Sequence, residues 1–231
     1  RYLAPFVFSC FNQTTYDMQV LTHELGHAFA GYMAMRNQPI SEFYSESTDI
    51  AEIHSMSMEQ FAYPYAECFF GEQADKFRFA HLQEAVTFVP FGVAVDEFQH
   101  ICYANPDLTP KERTLEWKKL EQKYMPWRAY ESDDFFDRGG FWYHKIHIYL
   151  YPMYYINYTL TTMGAMEFKK KEKENHAQAW EDYLNLCKCG GSMSYLETLR
   201  YANLASPFEQ GSVECAMRVA RDELMESKFM K

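Results

Sequence analysis

The sequence has no surplus of positive charge, no membrane-length apolar run and no recognisable cysteine spacing. Its 32 acidic residues outnumber 22 Lys and Arg, giving a formal charge of −10 at pH 7. It therefore lacks the basic surface that nucleic acids and anionic membranes require, and neither partner is expected. No apolar stretch approaches the roughly 20 residues of a membrane span, and no internal repeat is present. The six cysteines (Cys10, Cys68, Cys102, Cys187, Cys189 and Cys215) show neither zinc-ribbon nor thioredoxin spacing. A chain of 231 residues buries enough core to do without disulfides, so they are read as reduced, buried thiols of a cytoplasmic protein. The chain begins at Arg1 rather than Met. The lack of a signal peptide thus excludes no compartment, and the natural N terminus is expected upstream.

What is present is apolar and aromatic. Hydrophobic residues make up 48% and aromatics 18%, with 18 Tyr and 19 Phe, the profile of a packed globule rather than a disordered chain. The pattern predicts a mainly α fold with one short strand, Phe6 to about Cys10, where aromatic and apolar residues alternate after Pro5. Thr14 or Thr15 caps a helix from about Tyr16 to Arg36, ended by Asn37–Pro39. A second helix starts near Ser47 or Thr48 and is interrupted at Pro64. Further helices are predicted at Glu72–Phe88, Gly92–Tyr103, Pro110–Met125, His147–Lys173, Ala177–Leu186, Met193–Ala202 and Pro207–Met225, separated by proline and glycine breakers. The charge run Lys169–Glu174 reads as a solvated helix face.

The stretch "VLTHELGHAFAGY", Val20 to Tyr32, lies on the first of these helices. His23 and His27 are four apart and share one face, a turn from each other, close enough to bind one tetrahedral zinc ion. Glu24 is offset by one position and can reach a water in the open coordination site without being a ligand. Zinc acidifies such a water, and Glu24 takes its proton and later delivers it to the leaving amine. Gly26 inside the pattern costs the helix roughly 1 kcal/mol relative to alanine, which points to a neighbour packed close against it. The third ligand is one of the carboxylates Glu42, Glu46, Asp49, Glu52 and Glu59. Glu52 is preferred because Ile50, Ala51 and Ile53 flank it on a segment that must pack inward, where an unpaired charge is costly. Glu59, two turns further along the same face, can accept the free N–H of a ligating histidine. Asp49 also suits the first turn of a helix. His54, His81, His100 and His176 are read as structural or surface residues.

"THELGHAF" followed by "TDIAEIHSMSMEQF" resembles the thimet oligopeptidase and oligoendopeptidase F group of zinc metallopeptidases. The third ligand of that group stands 25 residues after the second histidine, the distance from His27 to Glu52. The resemblance extends to "DEFQHICYANPDLTPKERTLEWKKLEQKY", "HIYLYPMYYINYTLTTMGAMEF" and "LCKCGGSMSYLETLRYANLASPFEQGSV", and so covers nearly the whole chain. It implies a helical metallopeptidase catalytic domain over residues 1–231, the C-terminal portion of a longer chain. It also implies one Zn2+ per chain, oligopeptide substrates, and a tyrosine-rich stretch with a preceding histidine that faces the zinc. That stretch assigns His147, Tyr155 and Tyr158, with the hydroxyls donating to the oxyanion of the attacked carbonyl. Tyr149, Tyr151 and Tyr154 crowd the same segment, and His144 competes with His147. The helical region that forms one channel wall in the family is missing here, so self-association through the uncovered surface is expected. The strand near Val7–Cys10 is expected to pair with an extended substrate. The function implied is an endopeptidase acting on short unstructured peptides. A helical zinc carboxypeptidase or a non-catalytic zinc-binding fragment are the alternatives.

Overall fold

The computed structural model describes residues 4–131 and 133–230. The histidine-bearing helix, α1, spans Thr15–Asn37. Its N terminus is secured by Asp17, whose carboxylate accepts the N–H groups of Asn12 and Thr14 at 3.0 and 3.1 Å. These bonds, led by that from Asn12, hold the Asp17 carboxyl below its usual range, and the charge suits the helix N terminus. The buried residues of α1 are Met18, Thr22, Gly26, Ala30 and Ala34. Spaced four apart, they form a stripe of mostly small side chains on one face.

The second helix, α2, spans Thr48–Phe61 and packs against that stripe. A Cβ on Gly26 would lie 2.5 Å from Cα of Ser55 and 2.8 Å from the His54 carbonyl oxygen. The two backbones are thus in contact, as the mid-helix glycine led one to expect. Short helix α3 (Ala66–Phe70) and long helix α4 (Ala74–Ala104) follow. The remaining helices are α5 (Pro110–Tyr124), α6 (Asp134–Asp137), α7 (Ile146–Leu150), α8 (Ile156–Glu174), α9 (His176–Cys189), α10 (Tyr195–Tyr201) and α11 (Ser212–Glu226).

The chain forms two compact units, Arg1–Glu84 with Leu160–Lys231, and Ala85–Thr159. In the first, Ala30, Ile50, Ile53, Phe61, Phe168, Tyr183, Leu186 and Leu199 are core residues. Burying each large apolar side chain contributes about 1.5–3 kcal/mol. The Tyr183 hydroxyl donates to the His54 carbonyl at 3.0 Å, tying α9 to α2. In the second, Phe91, Val95, Phe98, Trp117, Leu120, Met125, Trp142 and Tyr155 form an aromatic core.

Five expectations need correction. Among the described residues no strand forms: Phe6–Cys10 is irregular, and Phe6 and Phe8 are 80% and 92% exposed. A strand needs a neighbouring strand in ladder register, so an alternating pattern alone does not make one. The two helices expected at Glu72–Phe88 and Gly92–Tyr103 are one, α4 (Ala74–Ala104), with Pro90 inside it. The apolar face around the proline (Phe91, Ala94, Val95 and Phe98) is buried, and this packing offsets the lost backbone bond. The reverse holds at 147–173, where the single predicted helix is broken between α7 and α8. Met153 there has φ of 60°, and its N–H donates at 2.8 Å to the buried Gln99 side chain. Nor is the 169–174 run simply solvated. Lys169 is buried against the Tyr63 ring and Glu223, and Lys171 pairs with buried Asp182 at 2.6 Å. The cysteines are free, as expected, but only Cys187 and Cys189 are buried; Cys10 and Cys68 are exposed.

The helix contact generates a paired expectation. Gly26→Ala should destabilise the chain by about 1–3 kcal/mol, since neither backbone can yield. Gly31→Ala, where no atom lies within 4 Å of an added Cβ, should be neutral or stabilise by up to about 1 kcal/mol. Denaturant unfolding of the two variants checks this; equal stabilities would contradict it.

Candidate metal centre

α1 and α2 bring His23, His27 and Glu52 together. One ligand atom from each lies within 4.8 Å of the others. Nε2 of His23 is 3.0 Å and Nε2 of His27 is 3.4 Å from Oε2 of Glu52. Tetrahedral zinc with ligand bonds of about 2.0–2.1 Å needs donor separations of about 3.3 Å, close to the two distances from Glu52 to the histidines. All three side chains are partly buried. Glu24 sits in the same turn as His23, half-buried, and makes no hydrogen bond or ion pair among the described residues.

The site is strongly polarised. Burial alone would lower the affinity of His23 for a proton, but hydrogen bonds and charge from Glu52 and Glu59 outweigh it and raise its pKa to about 9. Burial would likewise raise Glu52, yet bonds to His23 and His27 hold it well below the usual carboxylate range. His23 thus holds a proton at neutral pH, between two carboxylates. That proton occupies the Nε2 lone pair that a metal would take.

The other carboxylates have different partners. Glu59 Oε1 accepts from His23 Nδ1 at 2.7 Å, the place expected for a group that orients a ligand. Glu46 pairs at 3.1 Å with His54, which is 1% exposed. Asp49 accepts from the Ser47 hydroxyl in the first turn of α2. Glu42 accepts from Ser41 at 3.2 Å. On the surface, His100 pairs with Asp96 and His176 with Glu172. His81 was not singled out by its sequence context, yet its Nε2 lies 2.6 Å from Glu59 Oε2 and its Nδ1 2.6 Å from the Tyr63 hydroxyl. A histidine four residues after Phe77 on the buried face of α4 was the only signal.

The second unit gathers the tyrosine-rich residues. The His147 ring lies 5.0 Å from that of Tyr155 and 5.9 Å from that of Tyr158, and the two tyrosine rings are 5.6 Å apart. Tyr151 and Tyr154 also flank His147, whereas the His144 imidazole is tied to the Phe141 carbonyl. Burial and the nearby Lys145 lower the His147 pKa, and burial raises that of Tyr155 to about 12. Tyr155 is a core residue, packed against Phe88 and Phe91.

Two histidines one turn apart on one helix and a carboxylate from a second form a donor set that could hold a metal ion. The chain belongs to peptidase family M3, which it matches over residues 2–216. It is similar to the oligoendopeptidase F homolog of Borreliella burgdorferi, 25% identical over 217 residues, covering 92% of this chain and 36% of the relative. Among solved structures it resembles PZ peptidase A, determined with an inhibitor: TM-score 0.91, 47% identity, 99% of this chain and 40% of that one. A protein from Bacillus anthracis described as an oligoendopeptidase F gives a TM-score of 0.82 and 43% identity over 99% of this chain and 38% of that one. The chain therefore spans well under half the length of these relatives. No helix among the described residues is long and apolar enough to cross a membrane.

A pH dependence follows from His23. A metal must displace its proton, so zinc affinity should rise about tenfold per pH unit from neutrality and level off above pH 9. Chelator competition at several pH values measures the slope; an affinity independent of pH between 7 and 9 would contradict it.

Proposed function

We propose that this chain is the metal-binding catalytic part of a longer endopeptidase that hydrolyses short, unstructured peptides, with one zinc ion per chain held by His23, His27 and Glu52. The convergence of these three donors beside a free Glu24 carboxylate is the observation that carries the reading. Two imidazoles and one carboxylate leave a tetrahedral metal one open position, the arrangement of catalytic rather than structural zinc sites. The donor set fits zinc better than magnesium or calcium, which take oxygen ligands. When bound, zinc polarises the scissile carbonyl and lowers the pKa of water.

Each side chain then has a defined task. His23 and His27 bind through Nε2, with Glu59 accepting the remaining N–H of His23. Glu24 removes a proton from the attacking water and returns it to the departing amine. Tyr155 and Tyr158 act as hydroxyl donors to the developing oxyanion, and His147 holds the same oxygen or the substrate. Membership of peptidase family M3 and the similarity to oligoendopeptidase F proteins support the substrate class.

The test uses this chain loaded with zinc and a quenched oligopeptide blocked at both ends. Internal cleavage, abolished by chelators and reduced about 100-fold or more in Glu24→Gln at unchanged zinc content, is the expected result. Cleavage only of peptides with a free C-terminal carboxylate would favour a carboxypeptidase. Stoichiometric zinc with no turnover of any peptide would favour a non-catalytic fragment.

A further inference from the structure

A histidine that binds a metal through one nitrogen is oriented by whatever holds the other. For His23 that partner is Glu59, and Glu59 is itself held. Its Oε1 is 2.7 Å from Nδ1 of His23, and its Oε2 is 2.6 Å from Nε2 of His81. The other nitrogen of His81, Nδ1, lies 2.6 Å from the hydroxyl of Tyr63. Four side chains from α1, α2, the turn after α2 and α4 thus form one continuous hydrogen-bonded chain that ends at a ligand.

The donors and acceptors of this chain can be assigned in one consistent direction. With Nε2 of His23 given to a metal, its Nδ1–H donates to Glu59 Oε1. His81 donates from Nε2–H to the other carboxylate oxygen and accepts the Tyr63 O–H at Nδ1. Every hydrogen then points toward Glu59, whose single negative charge is satisfied on both oxygens. Tyr63 and His81 are 7% and 8% exposed, so little solvent can substitute for either. Burial and the charge of Glu59 push the Tyr63 hydroxyl well above its ordinary range, keeping it a donor. The His81 ring stacks on Phe77 at an interplanar angle of 7°, and Lys169 Nζ lies 4.2 Å over the Tyr63 ring.

We propose that His81 and Tyr63 are positioning residues of the metal centre, acting through Glu59 to hold His23 with Nε2 presented to the metal. This rests on the metal-centre reading above. Neither residue touches the metal or substrate. Without His81, one oxygen of a buried carboxylate loses its donor, and Glu59 is free to turn away from His23.

The experiment is a double-mutant cycle read as zinc affinity by chelator competition, with thermal unfolding of the metal-free variants alongside. His81→Leu should weaken zinc binding about 10- to 100-fold. Tyr63→Phe, which keeps the ring packing, should give a smaller loss in the same direction. His81→Gln retains a donor toward Glu59 and should recover much of the affinity. In a Glu59→Gln background the His81→Leu loss should largely vanish, which a general loosening of the fold would not produce. Should His81→Leu fail to fold, Tyr63→Phe and His81→Gln decide the question. Stoichiometric zinc with unchanged affinity in the folded variants would overturn this inference alone, as would a His81→Leu loss that persists without Glu59. A wild-type chain that binds no zinc would overturn the metal-centre reading and this inference with it.

Discussion

At Gly26 the backbone of α1 rests directly on the backbone of α2 at His54 and Ser55, with no room for even one methyl group. The positions of the donors follow from that contact. His23 and His27 flank Gly26 on α1, one on either side. Glu52 lies a single turn before Ser55 on α2, and Glu59 about a turn after it. A helix pair separated by ordinary side chains sits at axial distances of 8–10 Å. Small residues along the α1 stripe and the glycine at its centre let the two helices approach more closely than that. α8 repeats the device on the other side of α2, where a Cβ on Gly164 would fall 2.9 Å from the Ile53 side chain.

The close approach also concentrates charge. Glu46, Glu52 and Glu59 are all largely buried, and each faces at least one histidine. Removing an ion from water costs several kcal/mol even in a relaxed protein, so each carboxylate persists only because imidazoles surround it. Burial alone would raise the pKa of all three, yet all three are lowered, so the histidines win. Such a cluster is poised for a cation. A metal that replaced the His23 proton would add its own binding energy to stability by linkage.

The meeting of His23, His27 and Glu52 was more legible in the sequence than the surrounding fold. Two histidines at helical spacing define a shared face whatever surrounds them, and an acidic residue among Ile50, Ala51 and Ile53 has no cheap alternative to facing inward. The glycine between the histidines announced the close contact. What escaped depended on residues distant in sequence. Pro90 reads locally as a helix end, and only the buried aromatic face of α4 carries the helix through it. The break at Tyr151–Tyr155 is held by Gln99, and His81 meets Glu59 from another helix. The irregular, exposed Phe6–Cys10 segment shows that alternation alone does not make a strand.

The central claim, that the crossing of α1 and α2 builds a two-histidine, one-carboxylate metal centre, is tested most directly by X-ray absorption spectroscopy of the zinc-loaded chain. The expected spectrum has two imidazole nitrogens and at least one oxygen at about 2.0–2.1 Å, without sulfur. One imidazole should be lost in His23→Ala and one in His27→Ala. A sulfur shell near 2.3 Å, or a spectrum unchanged by both substitutions, would place the metal elsewhere and contradict the claim.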